Sequence, residues 1–114
     1  MEESILKSIR KMLGPSETYT HFDNDIIMHI NSAFNTLHQL GVGPEKGFYI
    51  EDESTTWDEY LKKPGLLQSV KYFVYLKVKL GFDPPANSFL VDAIQKDIKE
   101  YEWRINVMIN SGEY

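Results

Sequence analysis

The chain has 114 residues, a formal net charge of −5 and no cysteine. That length makes a single domain, residues 1–114, able to bury roughly two-thirds of its unfolded surface without a staple. The missing thiols exclude a disulfide framework and cysteine-ligated zinc, and the acidic balance argues against a free-standing nucleic-acid binder, whose affinity comes from neutralising phosphates.

The opening MEESILKSIRKML is broken by charges and lacks the apolar run and cleavage site of a signal peptide, so the chain reads as soluble and unsecreted. Ile5, Leu6, Ile9, Met12 and Leu13 recur at helical spacing, with Glu2 and Glu3 at the start and Arg10 and Lys11 at the end, where each sign suits the helix dipole. Gly14-Pro15 stops this helix. After a polar loop, Asp23 is placed to cap a second helix whose inner face is Ile26, Ile30, Ala33, Leu37 and Leu40, flanked by Ile27 and Phe34. Gly41 closes it in a left-handed conformation, with Val42 folding back over the last turn.

The sequence Gly43-Pro44-Glu45-Lys46-Gly47 is a turn, not a phosphate loop, since it lacks the Lys-Ser/Thr ending and follows a helix. Phe48, Tyr49 and Ile50 are the one plausible strand; with no partner in view they read as an extended segment. Acidic residues 51–53 follow, and Thr55 or Thr56 caps a short helix carrying Trp57, Tyr60 and Leu61 before Pro64-Gly65.

Residues 66–80 are mostly aliphatic or aromatic, and Leu66, Leu67, Val70, Phe73, Val74, Leu76, Val78 and Leu80 cover more than half of a helical wheel. The spacing predicts a buried central helix, packed on more than one side and too lysine-rich to span a bilayer. Gly81 is expected to end it in a left-handed conformation. Phe82, Asp83, Pro84 and Pro85 then form a stiff elbow, because a residue before proline is pushed toward extended backbone. Lys77 lies within the apolar stripe; either its stem runs along the core to bring the amine to water, or it meets a carboxylate within the fold or across a subunit contact.

Asn87 or Ser88 caps a last helix from about residue 89 to 109, roughly 30 Å long. Leu90, Ile94, Ile98, Tyr101, Ile105 and Met108 form its core stripe. Phe89, Trp103 and Val107 fall on the opposite side, beside an Asp92, Lys96, Glu100, Arg104 ladder at i,i+4 steps. Trp103 either lies under the N-terminal helix or the Phe48 loop, or belongs with Arg104 to a subunit or partner contact.

Catalytic chemistry is not legible. Asp25 and His29 stand at i,i+4, as two metal ligands do, but His38 is on the far side of the helix and His21 is the remaining candidate; a solvated His–Asp pair is preferred, and no metal or other cofactor is expected. Glu51, Asp52, Glu53, Asp58 and Glu59 read as a solubilising surface. Tyr19, Tyr49, Tyr60, Tyr72 and Tyr75 have no basic groove beside them and read as core-edge residues.

Four pieces in order, the N-terminal Ile-Leu helix, Phe22-Asp23 opening a helix that ends Leu40-Gly41-Val42-Gly43-Pro44, Thr56-Trp57-Asp58-Glu59-Tyr60-Leu61, and Phe82-Asp83-Pro84-Pro85, together with the ending Glu100-Tyr101-Glu102-Trp103-Arg104-Ile105-Asn106-Val107, resemble the head-tail connector (adaptor) proteins of long-tailed bacteriophages and prophages. The resemblance covers nearly the whole chain. It implies an all-α bundle with a long C-terminal helix after a Pro-Pro elbow and one extended loop, and a non-enzymatic virion protein of the neck, present in the host cytoplasm during assembly. It further implies a homo-oligomeric ring, dodecameric in the virion and assembled from free monomers, with the portal on one side, a stopper or tail-completion protein on the other, and DNA passing through without sequence-specific binding or any membrane role. On this reading Trp103, Arg104, Val107, Phe89 and Lys77 are expected at the subunit or portal interface, and Gly43, Pro44, Phe48 and Tyr49 in loop contacts. The alternative is a small helical regulatory or protein-binding module that uses Trp103 and Val107 for a host partner; a metal-dependent enzyme around Asp25 and His29 is a weaker third reading.

Overall fold

A computed structural model describes residues 3–14 and 21–112. Five helices follow in order, α1 (Ile5–Leu13), α2 (Asp23–Gln39), α3 (Trp57–Tyr60), α4 (Pro64–Phe82) and α5 (Ser88–Ser111), with no strand among the described residues. The protein is all-α. Glu2, Pro15 and Tyr19 lie outside the described residues.

The long apolar stretch is the central helix, as its composition requires. Leu66, Val70, Phe73, Val74, Leu76 and Val78 are buried along α4, which packs against α1, α2 and α5. Ile26, Ile30, Ala33, Phe34 and Leu37 of α2 and Ile5, Leu6, Ile9 and Leu13 of α1 join them in one contiguous core. Met12 departs from expectation: it is exposed, on the side of α1 turned to a cleft beside Lys11, Lys71 and Tyr72.

Helix α4 is longer at both ends than the predicted 66–80. Pro64 occupies its first turn, where a missing N–H has no intrahelical partner to lose. At the other end Gly81 is helical, not left-handed, and α4 runs on to Phe82. Its glycine serves proximity instead: a Cβ at position 81 would lie 2.6 Å from the His29 ring of α2.

Asp23 is also reassigned. It is the first helical residue of α2 rather than the cap, a position taken by Phe22, because both carboxylate oxygens accept from the Arg10 guanidinium at 2.8 Å and tie α1 to α2. The other end of α2 is as expected: Gly41 has φ +93°, and the N–H groups of Gly41 and Val42 return to the carbonyls of His38 and Leu37.

Residues 48–50 are extended, and a side chain takes the place of a partner strand. Asn31 accepts from the Ile50 N–H at 2.7 Å and donates to the Ile50 carbonyl at 3.0 Å. With Ile50 thus fixed inward, alternation turns Tyr49 outward. A short antiparallel bridge between Ser4 and Thr56 fastens the N-terminus to the loop before α3, while Glu59 accepts from the Thr56 N–H in the manner of a capping box.

Helices α4 and α5 run antiparallel. Leu66 and Ile109 line one cleft, Tyr72 meets Tyr101 edge-on at 4.8 Å, and Leu80 shares another cleft with Gln95 and Ile98. This register brings the end of α4 level with about Asp92, so the first turn of α5 projects past it. Leu90, expected in the core stripe, is therefore exposed, and the buried residues of α5 are Ile98 and Ile105, with Ile94, Tyr101 and Met108 partly covered.

Candidate docking surfaces

The outer face of α5 carries the largest unburied apolar side chains of the C-terminal half. Asn87 caps the helix, its side chain accepting from the Phe89 N–H at 2.7 Å, and Gly112 ends it in a left-handed conformation at φ +74°. Between those ends Phe89 is 77% exposed, Trp103 65% and Val107 43%. Trp103 thus lies under neither the N-terminal helix nor the Phe48 loop. Arg104 is half-exposed, pairs with Glu100 at 2.9 Å and stacks its guanidinium 5.3 Å from the Tyr101 ring. Such a pair is screened and contributes little, but together with the Tyr101 ring it fixes where the Arg104 head lies.

Lys77 is half-buried, beside Leu80 and opposite Gln95, Ile98, Lys99 and Glu102 in a cleft of about 390 Å³ between α4 and α5. Its setting is that of a stem lying along apolar surface with its head at the rim.

The elbow is built on Phe82, which meets Phe22 edge-on at 5.7 Å, and on Asp83, which pairs with Lys79 at 3.2 Å. Pro84 is exposed and Pro85 half-buried. Phe22 itself is exposed, as are Met12 and Met28, and none of these three was singled out as a surface residue by periodicity. Their signal was weak because a lone apolar side chain on a helix reads as core until its neighbours' positions are known.

The loop residues divide. Phe48 is half-buried, with its ring 5.3 Å from Phe34 and 4.9 Å from Tyr60, so it anchors the loop from within. Tyr49 is 64% exposed at its tip, and Gly43 and Pro44 are exposed beside it.

The acidic segment carries structure of its own: Asp52 accepts from the side chain and the N–H of Ser54, which hold its carboxyl below the usual range. Burial, with smaller contributions from Asp97, Tyr101 and Tyr75, pushes the Tyr72 phenol up. Asp25 and His29 stand one turn apart on α2; among the described residues there is no group of three or more His, Asp or Glu that could hold a metal ion. Nor, among them, is any helix long and apolar enough to cross a membrane.

These features define a small all-α protein whose long terminal helix leaves an aromatic and aliphatic face uncovered. A match to the phage connector protein family spans residues 5–111, and the chain belongs to that family of structural proteins of the phage head–tail junction. No curated protein and no solved structure is detectably similar to the chain.

Proposed function

We propose that the protein is a non-enzymatic component of the phage neck, in which copies form a ring beneath the portal and continue the DNA-exit channel toward a stopper or tail-completion protein. The observation that carries this reading is the apolar outer face of α5 in a chain of the connector family. Trp103 and Val107 stand one turn apart on this face, both exposed, and Trp and Arg are enriched where binding energy concentrates. Phe89, Trp103, Arg104 and Val107 would meet a neighbouring copy or the portal, with Lys77 at the edge of that contact.

A ring requires heterologous contacts, one surface against a different one on the next copy. The loop with Gly43, Pro44 and Tyr49, backed by Phe48, supplies a second surface distinct from the α5 face. Phe82, Asp83, Pro84 and Pro85 set the angle between α4 and α5 and hence the relation of the two surfaces. The acidic balance suits a wall that DNA slides past without being gripped. The same reading places the protein in the virion, and in the host cytoplasm before assembly.

Negative-stain imaging of the protein mixed with its portal tests the proposal. Added density in a ring at the outer end of the portal is the expected result. A portal that stays bare, with the protein purifying instead with a host regulator, would overturn it.

A further inference from the structure

The exposed face of α5 has an order that its charges make visible. Phe89, Ala93, Lys96, Glu100, Trp103 and Val107 follow one another at steps of four, three, four, three and four, and all six are exposed. Such spacing keeps one stripe turned toward a second helix, as in the seam of a coiled coil. At 1.5 Å per residue the stripe is roughly 27 Å long.

Reversed, the stripe is complementary to itself. In an antiparallel pair of α5 helices centred at the level of Ile98, Phe89 stands opposite Val107 of the second copy, Ala93 opposite Trp103, and Lys96 opposite Glu100. Each layer occurs twice, once on either side of the two-fold axis. Apolar ends meet, the smallest side chain lies against the largest, and the two central layers hold opposite charges. Glu100 is already steadied on this face by Arg104 at 2.9 Å. A parallel pair would instead set Lys96 against Lys96 and Glu100 against Glu100. Sliding the antiparallel pair by one heptad sets Phe89 against Glu100 in one direction and Val107 against Lys96 in the other.

We propose that the free protein pairs with a second copy of itself through this face, α5 against α5 in antiparallel register about Ile98. An isologous contact closes on itself, so the dimer grows into neither a ring nor a filament. It takes Phe89, Trp103 and Val107 out of water and holds them until a competing partner separates the copies. Leu90, exposed although it has the phase of the core stripe, flanks the seam beside Arg104 of the second copy, whose stem covers it. A single helix pair falls short of the roughly 1,200 Å² of total buried surface at which stable interfaces begin. Asp97 and Lys99 also meet their own counterparts at the screened rim, so the dimer is weak and forms with rising concentration. It needs only this chain and does not rest on the neck reading.

Analytical ultracentrifugation of the full chain alone, from micromolar to millimolar concentration, tests this. A monomer–dimer equilibrium is expected, and Trp103→Ala should weaken it about tenfold or more, as truncating a central anchor does. Lys96→Glu places two carboxylates in each central layer and Glu100→Lys two ammonium groups, so each variant alone should dimerise more weakly than the native chain. Mixed, the two variants should pair with each other, because every central layer then holds opposite charges. The double variant Lys96→Glu, Glu100→Lys should regain the native dimer, which a parallel arrangement would not allow. A chain that stays monomeric throughout, one that grows beyond dimers, a mixture that pairs no better than its components, or a double variant as weak as the single ones would each overturn the proposal. If Trp103→Ala does not fold, the charge variants decide the matter. Portal is absent from every sample, so failure here leaves the imaging of the portal complex unaffected and the two readings fall separately.

Discussion

Trp57 and Trp103 show what the chain completes by itself and what it leaves open. Trp57 is 2% exposed; its indole N–H donates to Ser8 at 2.8 Å, its ring meets Phe34 and Tyr60, and the Lys71 ammonium stands 5.7 Å from it. Trp103 has the same side chain on a longer and better formed helix, yet lies mostly in water beside Val107 and a screened Arg104–Glu100 pair. Propensity does not distinguish them, since α3 has four residues and α5 has twenty-four. The difference is tertiary. The inner tryptophan is surrounded by α1, α2 and α4, whereas among the described residues no further element packs on the outer face of α5.

The comparison is broken most severely from the inside. Phe73→Asp places a carboxylate at a fully buried site of α4, and the several kcal/mol this costs is comparable with a total stability of about 5–15 kcal/mol. The variant should be unfolded by circular dichroism. Trp57→Ala should cost about 3–5 kcal/mol in chemical denaturation, because it opens a cavity and also strands the Ser8 contact. A cost below about 1 kcal/mol, the range of an exposed position, would place Trp57 with Trp103 and erase the contrast.

Gly81 sharpens the contrast at the α2–α4 contact. Alanine is favoured over glycine by about 0.5–1 kcal/mol in a helix interior and by less in the last turn, where Gly81 sits, whereas overpacking a tight contact costs about 1–3 kcal/mol. With the new methyl 2.6 Å from the His29 ring, the second effect should win and Gly81→Ala should be destabilised. Adding His29→Ala should recover the helix gain, giving a coupling between the two sites in a double-mutant cycle. Independent effects would show that the helices part easily there.

Much of this fold was legible because the signals were local. The helix order, the Gly41-Val42 ending of α2, a cap at Asn87 or Ser88 and the grouping of Phe89, Trp103 and Val107 opposite the core stripe of α5 all follow from spacing and terminal chemistry; that this group is uncovered does not. The misreadings share a cause. Gly81 reads as a helix end and Asp23 as a cap because those are their commonest local roles, but His29 and Arg10, distant in sequence, claim them. Leu90 has the right phase for the core and the wrong height, since the register of α4 against α5 is set by contacts such as Tyr72 with Tyr101. The missing partner of residues 48–50 was Asn31, a side chain, which no strand pattern announces.

Tyr60 also separates inside from outside by pH. Its phenol is raised above the ordinary value of 10.0 by burial, so the folded protein holds this proton where the unfolded chain releases it. Above about pH 10 the unfolded state therefore binds fewer protons, and stability should fall as pH rises through that region. The contribution is fully present below pH 10. Tyr60→Phe should flatten this alkaline decline, while Tyr49→Phe, at an exposed tyrosine, should not; equal curves for both variants would show that Tyr60 ionises as freely as a surface phenol.

The smallest expected change in the monomer belongs to the position of largest expected consequence for assembly. Trp103 is mostly in water, so Trp103→Ala removes little buried area and should shift the melting temperature by no more than other surface substitutions, within about 0.5 kcal/mol of stability. If the α5 face is covered in the assembled neck, the same truncation removes a central anchor and should cost about 2 kcal/mol or more of binding, roughly thirtyfold in affinity. Calorimetry on the free variant and sedimentation of the variant with portal give the two numbers independently. A folded protein that no longer joins the portal is the expected result, with DNA-filled heads that leak or fail to take tails as the expected phenotype. A variant that assembles normally would move the interface off this face, and the loop around Gly43, Pro44 and Tyr49 would become the surface to mutate next. A large loss of monomer stability would mean instead that Trp103 is held by the chain itself, as Trp57 is.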